Sequence, residues 1–341
     1  MDIKINNYVE SGIINSFSGE LDIPIDIDCL EETLVLPKNI GQGKIKGYSF
    51  SHGIYLLILD YTLQEDWKLV IRDKKSTVQF NFCIKGKFQH QFNKEDMQYV
   101  LNALRGTITA GVPEYEQVFK FQKNVPILSA IIIIDKQAYF PKIECILDDM
   151  PDKLSEVFKD LDGTETYFYH SNYSISIAEN IKEILENENK GLVRSTHIEG
   201  KTLEILSMQI KQYIDDEKSM GKQLMIRKDD VENIKKARDL LLNSYNSPPT
   251  IEQLARQSGI NQQKLKKGFK MVFNKTINQY VRDKRLEIAA ARLLNGSSVK
   301  DAATYVGYTN QSHFATKFKD KYGVLPKDYL KSILVRVKTV C

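Results

Sequence analysis

The sequence predicts an α+β protein: a β-rich, cupin-like N-terminal domain followed by helices, then an all-α C-terminal domain with two helix-turn-helix units in tandem. Three observations predict it. Short apolar runs broken by glycine occupy residues from about 36 to 135. Helical periodicity takes over from about 137. A pattern of eleven residues then occurs twice between Thr250 and Tyr308.

The strand region opens the argument. Ile54 to Leu59 is a continuous apolar run, and Val78, Phe80, Phe82 and Ile84 alternate with Gln79, Asn81 and Cys83. A period of two turns one face inward and leaves the other to water. Gly41, Gly43, Gly47, Gly53 and Gly86 punctuate the runs as turns require, and Pro126 to Asp135 reads as one more buried strand. Short strands at this spacing suggest a sandwich or a barrel.

Helices follow, from about 137 to 218. Ile177, Ile181, Ile184 and Leu185 recur at helical spacing, with Gly191 placed in a loop beyond them. A second stripe carries Leu203, Leu206, Ile210, Tyr213 and Ile214. Such stripes serve a local core or pair with a second subunit. The polar stretch that begins near Asp215 marks a linker at 219–228, so 1–218 is expected as one domain and 229–335 as the next.

Within 229–335 lies the repeat. The first copy reads Thr-Ile-Glu-Gln-Leu-Ala-Arg-Gln-Ser-Gly-Ile from Thr250, the second Ser-Val-Lys-Asp-Ala-Ala-Thr-Tyr-Val-Gly-Tyr from Ser298. Leu254, Ala255 and Gly259 match Ala302, Ala303 and Gly307 at an offset of 48, and Leu265 and Phe269 match Phe314 and Phe318 at 49. Thr250 with Gln253 forms a capping box, and Ser298 with Asp301 an aspartate variant of it. Pro248 and Pro249 stop any helix from running in. The two glycines sit where each first helix ends in a sharp turn, and Asn261 and Asn310 offer caps to the second helices. These features place the units at about 250–273 and 298–322. Between them Ile277, Tyr280, Val281, Leu286, Ala289, Ala290 and Leu293 mark one helix from roughly Thr276 to Leu294, closed by Asn295-Gly296. At 1.5 Å per residue it is a strut of roughly 28 Å, against roughly 34 Å between successive major-groove faces.

Charge is divided in the same way. The chain of 341 residues carries a net +4, but Arg227 to Cys341 holds 23 basic and 10 acidic residues, and the rest 25 and 34. A back half of +13 behind a front of −9 fits one end touching a polyanion. Hydrophobic content of 42% and charged content of 27% are ordinary for a globular chain. Cys29, Cys83, Cys145 and Cys341 are far apart, which excludes a C-x-x-C zinc or disulfide framework and fits a reducing cytoplasm. Met1 to Glu10 is polar and mixed, and the apolar run at Ala130 to Ile134 is far too short to span a bilayer. A cytoplasmic protein without a membrane partner is expected.

The repeat, together with Lys-Arg-Leu-Glu-Ile-Ala-Ala at Lys284 to Ala290, Val-Gly-Tyr at Val306 to Tyr308 and Tyr-Gly-Val-Leu-Pro at Tyr322 to Pro326, resembles the AraC/XylS family of transcription regulators. The resemblance covers about a third of the chain. It implies a DNA-binding domain of seven helices, an N-terminal domain that senses a signal or makes a dimer, and, as in many members, activation of promoters through contact with RNA polymerase.

In the first unit the outward face of the second helix carries Gln262, Gln263, Lys266, Lys267 and Lys270. Glutamine can pair with adenine and lysine can reach guanine, while further lysines neutralise phosphates. The family pattern places Gln263, Lys266 and Lys267 at its base-reading positions. The matching face of the second unit carries Gln311, Ser312, His313, Thr316 and Lys317. Thr316 stands where family members often have Arg, so this helix is expected to read bases weakly or to lean on Gln311 and phosphates. His313 is either a donor to base or phosphate or a plain cap or surface residue. Lys319 and Lys321 are expected to add sequence-independent attraction.

Leu-Pro-Lys-Asn-Ile-Gly-Gln-Gly-Lys-Ile (Leu36 to Ile45) and Ile-Glu-Gly-Lys-Thr-Leu-Glu-Ile-Leu (Ile198 to Leu206) resemble the siderophore-responsive (pyochelin-regulator-like) branch of that family. A small-molecule effector, with a ferric siderophore as candidate, is what this likeness implies; its binding residues are not legible. The rival is a metal-dependent enzyme domain. His52, His90, His170 and His197 are scattered without metal-ligand spacing, and neither a nucleophile elbow nor a phosphate-cradling loop is present. No catalytic residue, metal or cofactor is therefore expected. A third reading makes the front half a homodimerisation or protein-docking platform.

Overall fold

The computed structural model describes residues 1–6, 12–28, 30–92, 98–113, 115–218 and 228–329. Most of the expected linker, the end of the expected second domain at 330–335, Cys29 and Cys341 lie outside the described residues. Two compact units divide between Gln223 and Leu224.

The first unit is built on two sheets. In chain order the strands are β1 (Asp2–Asn6), β2 (Ile25–Asp28), β3 (Glu31–Val35), β4 (Gly41–Phe50), β5 (Ile54–Leu63), β6 (Trp67–Arg72), β7 (Thr77–Lys85), β8 (Lys87–Phe92), β9 (Tyr99–Asn102), β10 (Arg105–Ala110), β11 (Gln117–Phe121), β12 (Ile127–Asp135) and β13 (Tyr167–His170). Eight of them form one sheet in the order β13-β10-β7-β12-β5-β4-β3-β2, and five the other in the order β1-β6-β11-β8-β9. All pairings are antiparallel except β1 with β6.

The strands begin earlier than the sequence suggests. The first three are short and partly acidic, so their apolar content does not stand out; β1 reveals itself by pairing with β6. β13 likewise interrupts the stretch expected to be helical, because four residues, Tyr-Phe-Tyr-His, are too few to show a period.

The sheets face one another across a core in which Leu57, Leu59, Ile131 and Ile133 meet Trp67, Leu69, Phe119 and Phe121. This second sheet overturns the expectation of a wet face on β7. Gln79, Asn81 and Cys83 are as buried as Val78, Phe80 and Phe82, since both faces of the strand are covered.

Among the described residues five α-helices accompany the sheets: α1 (Ile13–Leu21), α2 (Lys136–Ile143), α3 (Asp152–Lys159), α4 (Ile175–Leu185) and α5 (Gly191–Glu217). Val78, Phe80 and Phe82 pack outward against Phe158, Ile177, Ile181, Ile205, Leu206 and Tyr213. Each such side chain contributes about 1.5–3 kcal/mol on burial. Ser174 caps α4 by accepting from the Ile177 amide.

Two details of this helical layer differ from expectation. Gly191 opens α5 rather than lying in a loop, and α5 buries Ile198, Thr202, Ile205, Leu206, Gln209 and Tyr213, which leaves Leu203 exposed. The buried stripe is wetter than a hydrophobic count predicts, because Thr202 and Gln209 find carbonyl partners at Ile198 and Asn81. Near its start, Arg194 bonds Glu31 of β3 at 2.7 and 3.0 Å, and Lys46 of β4 reaches the same carboxylate. Burial alone raises the Glu31 pKa, but these two cations outweigh it and hold the carboxyl below the ordinary range.

The second unit is helical: α6 (Lys228–Asn243), α7 (Ile251–Ser258), α8 (Gln262–Phe273), α9 (Ile277–Leu294), α10 (Val299–Tyr305) and α11 (Gln311–Tyr322). Leu286, Ala289, Ala290 and Leu293 of α9 form one core with Ala302, Ala303, Val306, Phe314 and Phe318. Leu254, Leu265, Phe269 and Phe273, together with Val231, Ile234 and Leu241 of α6, are buried as well.

Candidate nucleic-acid interface

Each of the two helix pairs, α7–α8 and α10–α11, is set by its caps. Thr250 and Gln253 bond reciprocally, and Ser298 accepts from the Asp301 amide while its hydroxyl donates to the Asp301 carboxylate at 2.6 Å. Asn261 and Asn310 accept from the Lys264 and His313 amides, which starts α8 and α11. Gly259 (φ 77°) and Gly307 (φ 83°) make the turn in the left-handed region. At Gly307 a Cβ would also run into the Asn246 carbonyl oxygen.

With Leu265 and Phe269, or Phe314 and Phe318, fully buried, the opposite faces of α8 and α11 point outward. On α8, Gln262, Gln263, Lys266, Lys267 and Lys270 are all exposed. No ion pair engages Lys266, Lys267 or Lys270 among the described residues. The neighbouring Lys264 is different: it turns back to Asp230 of α6 at 3.0 Å and fastens α8 to that helix.

On α11, Gln311, Ser312, His313 and Thr316 are exposed and Lys317 half-buried. Here the charge is largely answered. Lys317 pairs with Asp320 at 3.0 Å, and the Thr316 hydroxyl donates to the Ser312 carbonyl at 3.0 Å. Lys319 remains exposed, whereas Lys321, expected as a second free cation, reaches Glu287 at 3.0 Å and the Asp283 carbonyl at 2.9 Å on α9. Its reach is structural because its place in the last turn of α11 lies beside the acidic side of α9. The His313 ring lies 5.8 Å from that of Tyr308, with its amide rather than its imidazole in the cap.

One residue that sequence reasoning passed over without a role is Arg285. From α9 its guanidinium donates to the carbonyls of Tyr245 and Asn246 at 2.6 and 3.1 Å, and it lies 5.8 Å over the Tyr308 ring. It clamps the loop between α6 and α7 against the turn of the second pair. The only signal was its place within Lys284 to Ala290.

Among the described residues no group of three or more His, Cys, Asp or Glu could hold a metal ion. No described helix is long and apolar enough to cross a membrane. Of the scattered histidines, His90 and His170 both face the space between the sheets.

Comparison with known proteins places this geometry in a family. Residues 254–332 match the model of a helix-turn-helix domain, and residues 41–224, more than half of the chain, match that of the regulatory protein PchR N-terminal domain. An HTH-type transcriptional regulator in the cgkA 5′ region of Pseudoalteromonas carrageenovora is 36% identical over 90 residues, 26% of this chain and 54% of that one. Regulatory protein PchR of Pseudomonas aeruginosa is 33% identical over 99 residues, 29% of this chain and 33% of its own. The matched segments thus span between a third and about half of these two curated relatives. Among solved structures, the C-terminal domain of the response regulator yesN from Fusobacterium nucleatum aligns with 28% of this chain and 95% of its own, at 28% identity and a TM-score of 0.27.

Proposed function

Because the chain belongs to the AraC family of transcription regulators and carries the PchR N-terminal domain, we propose that it is an effector-responsive activator that binds double-stranded promoter DNA through both helix pairs. Residues 229–335 are the DNA-binding domain and 1–218 the sensor and dimerisation domain. The observation that carries the reading is the outward face of α8, where Gln263, Lys266, Lys267 and Lys270 stand exposed and the three lysines have no ion-pair partner among the described residues, on a capped frame. Gln263, Lys266 and Lys267 have the reach to read base edges, and Lys270 to neutralise phosphates. Gln311, Ser312, His313 and Thr316 make the lesser contribution of α11, with Lys317 shared between Asp320 and the DNA backbone. RNA polymerase is the partner on the promoter, and a ferric siderophore is the candidate effector that the family resemblance offers.

Promoter occupancy by the full-length protein across its genome, in iron-replete and iron-starved cells, tests both layers. Iron-dependent sites before iron-uptake genes support the whole reading; iron-indifferent sites remove the siderophore; absence of discrete sites removes the regulator.

A docking or homodimer role for the first unit has its own support. Leu192 and Val193 at the start of α5 are 82% and 63% exposed, and Leu30, close to Gly191, is 51% exposed. Sedimentation of the wild type beside Leu192→Glu separates the cases: a dimer that the substitution splits favours the platform.

A further inference from the structure

The first helix pair is held from outside itself. α6 buries Val231, Ile234, Ala237 and Leu241 and packs against both α7 and α8. On the flank of that buried stripe stand Asp230 and Asn233, three residues apart and so neighbours on the helix surface. Asn233 Nδ2 donates to the Gly259 carbonyl at 3.2 Å, and the Lys264 ammonium donates to both carboxylate oxygens of Asp230 at 3.1 and 3.0 Å. Gly259 is the left-handed residue of the turn between α7 and α8, and Lys264 lies in the first turn of α8. One flank of α6 thus holds the pair at its turn and just beyond it.

Lys264 runs against the ordinary chemistry of a helix start. The first turn carries the positive end of the helix dipole, which disfavours a cation there. α8 nonetheless opens with Gln262, Gln263 and Lys264 and has no acidic residue in its first turn. Asp230 answers the misplaced charge from a favourable place of its own, the first turn of α6. The two side chains are 13% and 30% exposed, so water screens this pair less than a bridge between fully solvated groups.

The repeat supplies an internal control. At the offset of 49, His313 stands in the second pair where Lys264 stands in the first. Its ring lies beside Tyr308, and no ion pair engages it among the described residues. A helix pair of this plan therefore folds without the tie. The tie belongs to the pair whose outward face carries lysines without ion pairs.

Two consequences follow for α8. Gln263 directly precedes Lys264, and Lys266 and Lys267 follow within one turn, so a tilt of the helix start moves all three tips together. A hydrogen bond to a base edge is lost over less than about 1 Å, whereas attraction to a phosphate falls only slowly with distance. The second consequence concerns charge. Lys264 and Lys267 are three residues apart and adjacent on the helix surface. Without Asp230, Lys264 would join Lys267 as a further cation, and each such cation attracts every sequence alike.

We propose that Asp230, together with Asn233, is a specificity-determining positioning residue of the first helix pair. It aims Gln263, Lys266 and Lys267 and withholds Lys264 from the phosphate backbone, so that α8 gives up attraction in return for discrimination. This role rests on the base reading proposed for α8. Its mark is that attraction and discrimination move in opposite directions when the Asp230 charge is removed.

The test offers the full-length chain a pool of random-sequence duplexes and sequences the bound fraction, well below the Tm of every variant. Positions whose preference disappears in Gln263→Ala mark the bases under α8. Asp230→Asn, which removes the charge at equal size, flattens preference at those positions by about tenfold and leaves the remaining positions in place. On one fixed, unselected duplex the same variant binds more tightly than the wild type, with a salt slope steeper by up to about one. Lys264→Met added to Asp230→Asn removes the extra slope and leaves the preference flat. Asn233→Ala flattens the same positions without any gain in attraction, since it frees no cation.

Preference that survives in Asp230→Asn overturns the proposal, as does a joint fall of discrimination and attraction, the pattern of a helix pair merely loosened. An unchanged salt slope in Asp230→Asn overturns the withholding of Lys264. If Gln263→Ala alters no position, base reading by α8 fails and Asp230 loses its role with it. If Gln263→Ala does alter positions and Asp230→Asn does not, the role of Asp230 fails alone.

Discussion

The two compact units place their polar groups in opposite ways. The first hides Asn81, Thr107, Thr109 and His90 between sheets and leaves apolar Leu192 and Val193 in the open. The second has an interior of Leu286, Ala289, Phe314 and Phe318, and sets Gln263, Lys266 and Lys267 outside. A small molecule is recognised by removing it from water, so its partners must be inside. A duplex is too large to enclose, so its partners must be outside. The contrast therefore predicts what disturbs each unit.

The largest effect is expected in the dry core of the second. Phe269→Ala and Phe318→Ala should each cost about 3–5 kcal/mol, read as matching drops in urea midpoint of the helical unit. A mild effect at either would show that the two helix pairs are not equivalent frames.

Acid should single out the first unit. His90 has its folded pKa depressed from 6.5 to about 4, so the unfolded chain binds the extra proton between those values. Stability is then complete above pH 6.5 and falls toward pH 4, by up to about 3 kcal/mol from this residue. Trp67, the single tryptophan and buried between the sheets, reports that unfolding by fluorescence. A midpoint that stays flat between pH 6.5 and 4, or that falls as steeply in His90→Leu, breaks this half of the contrast.

Smaller effects belong to the outward faces. Gln263→Ala or Lys266→Ala should relax preference at one base position by about 1–3 kcal/mol, measured on operators altered one base at a time. Lys319→Ala should weaken all sequences alike and reduce the salt slope by about one. Least of all is expected from Lys317→Ala, since Asp320 already answers that charge. Identical profiles for Gln263, Lys266 and Lys319 would remove the distinction between reading and attraction.

The same contrast explains what could be read before folding. The second unit announced itself because its determinants are local: a capping Thr250 with Gln253, a left-handed Gly259, an apolar Leu265 and Phe269, each again some 48 residues on. Caps and turns act within one helical turn, so a linear pattern contains them. The first unit depends on pairings far apart in the chain. Nothing adjacent to Gln79 or Asn81 says that β8 and β11 will cover them, and nothing around Tyr167 to His170 says that β10 will recruit them as a strand. The outward lysines were legible as residues but not as free ones: only geometry separates Lys266 from Lys264 and Lys319 from Lys321.

The clamp at Arg285 carries one more consequence. It ties the carbonyls of Tyr245 and Asn246, which precede the first helix pair, to the helix that leads into the second. With Gly307 leaving no room beneath Asn246, the pitch between α8 and α11 is a built-in constant rather than an adjustable hinge. On a duplex, inserting one base pair between two half-sites rotates the second by about 34° around the axis. A reader of fixed pitch meets that phase error in full, so under the proposed two-pair reading the operators are expected to differ in letters but share one spacing.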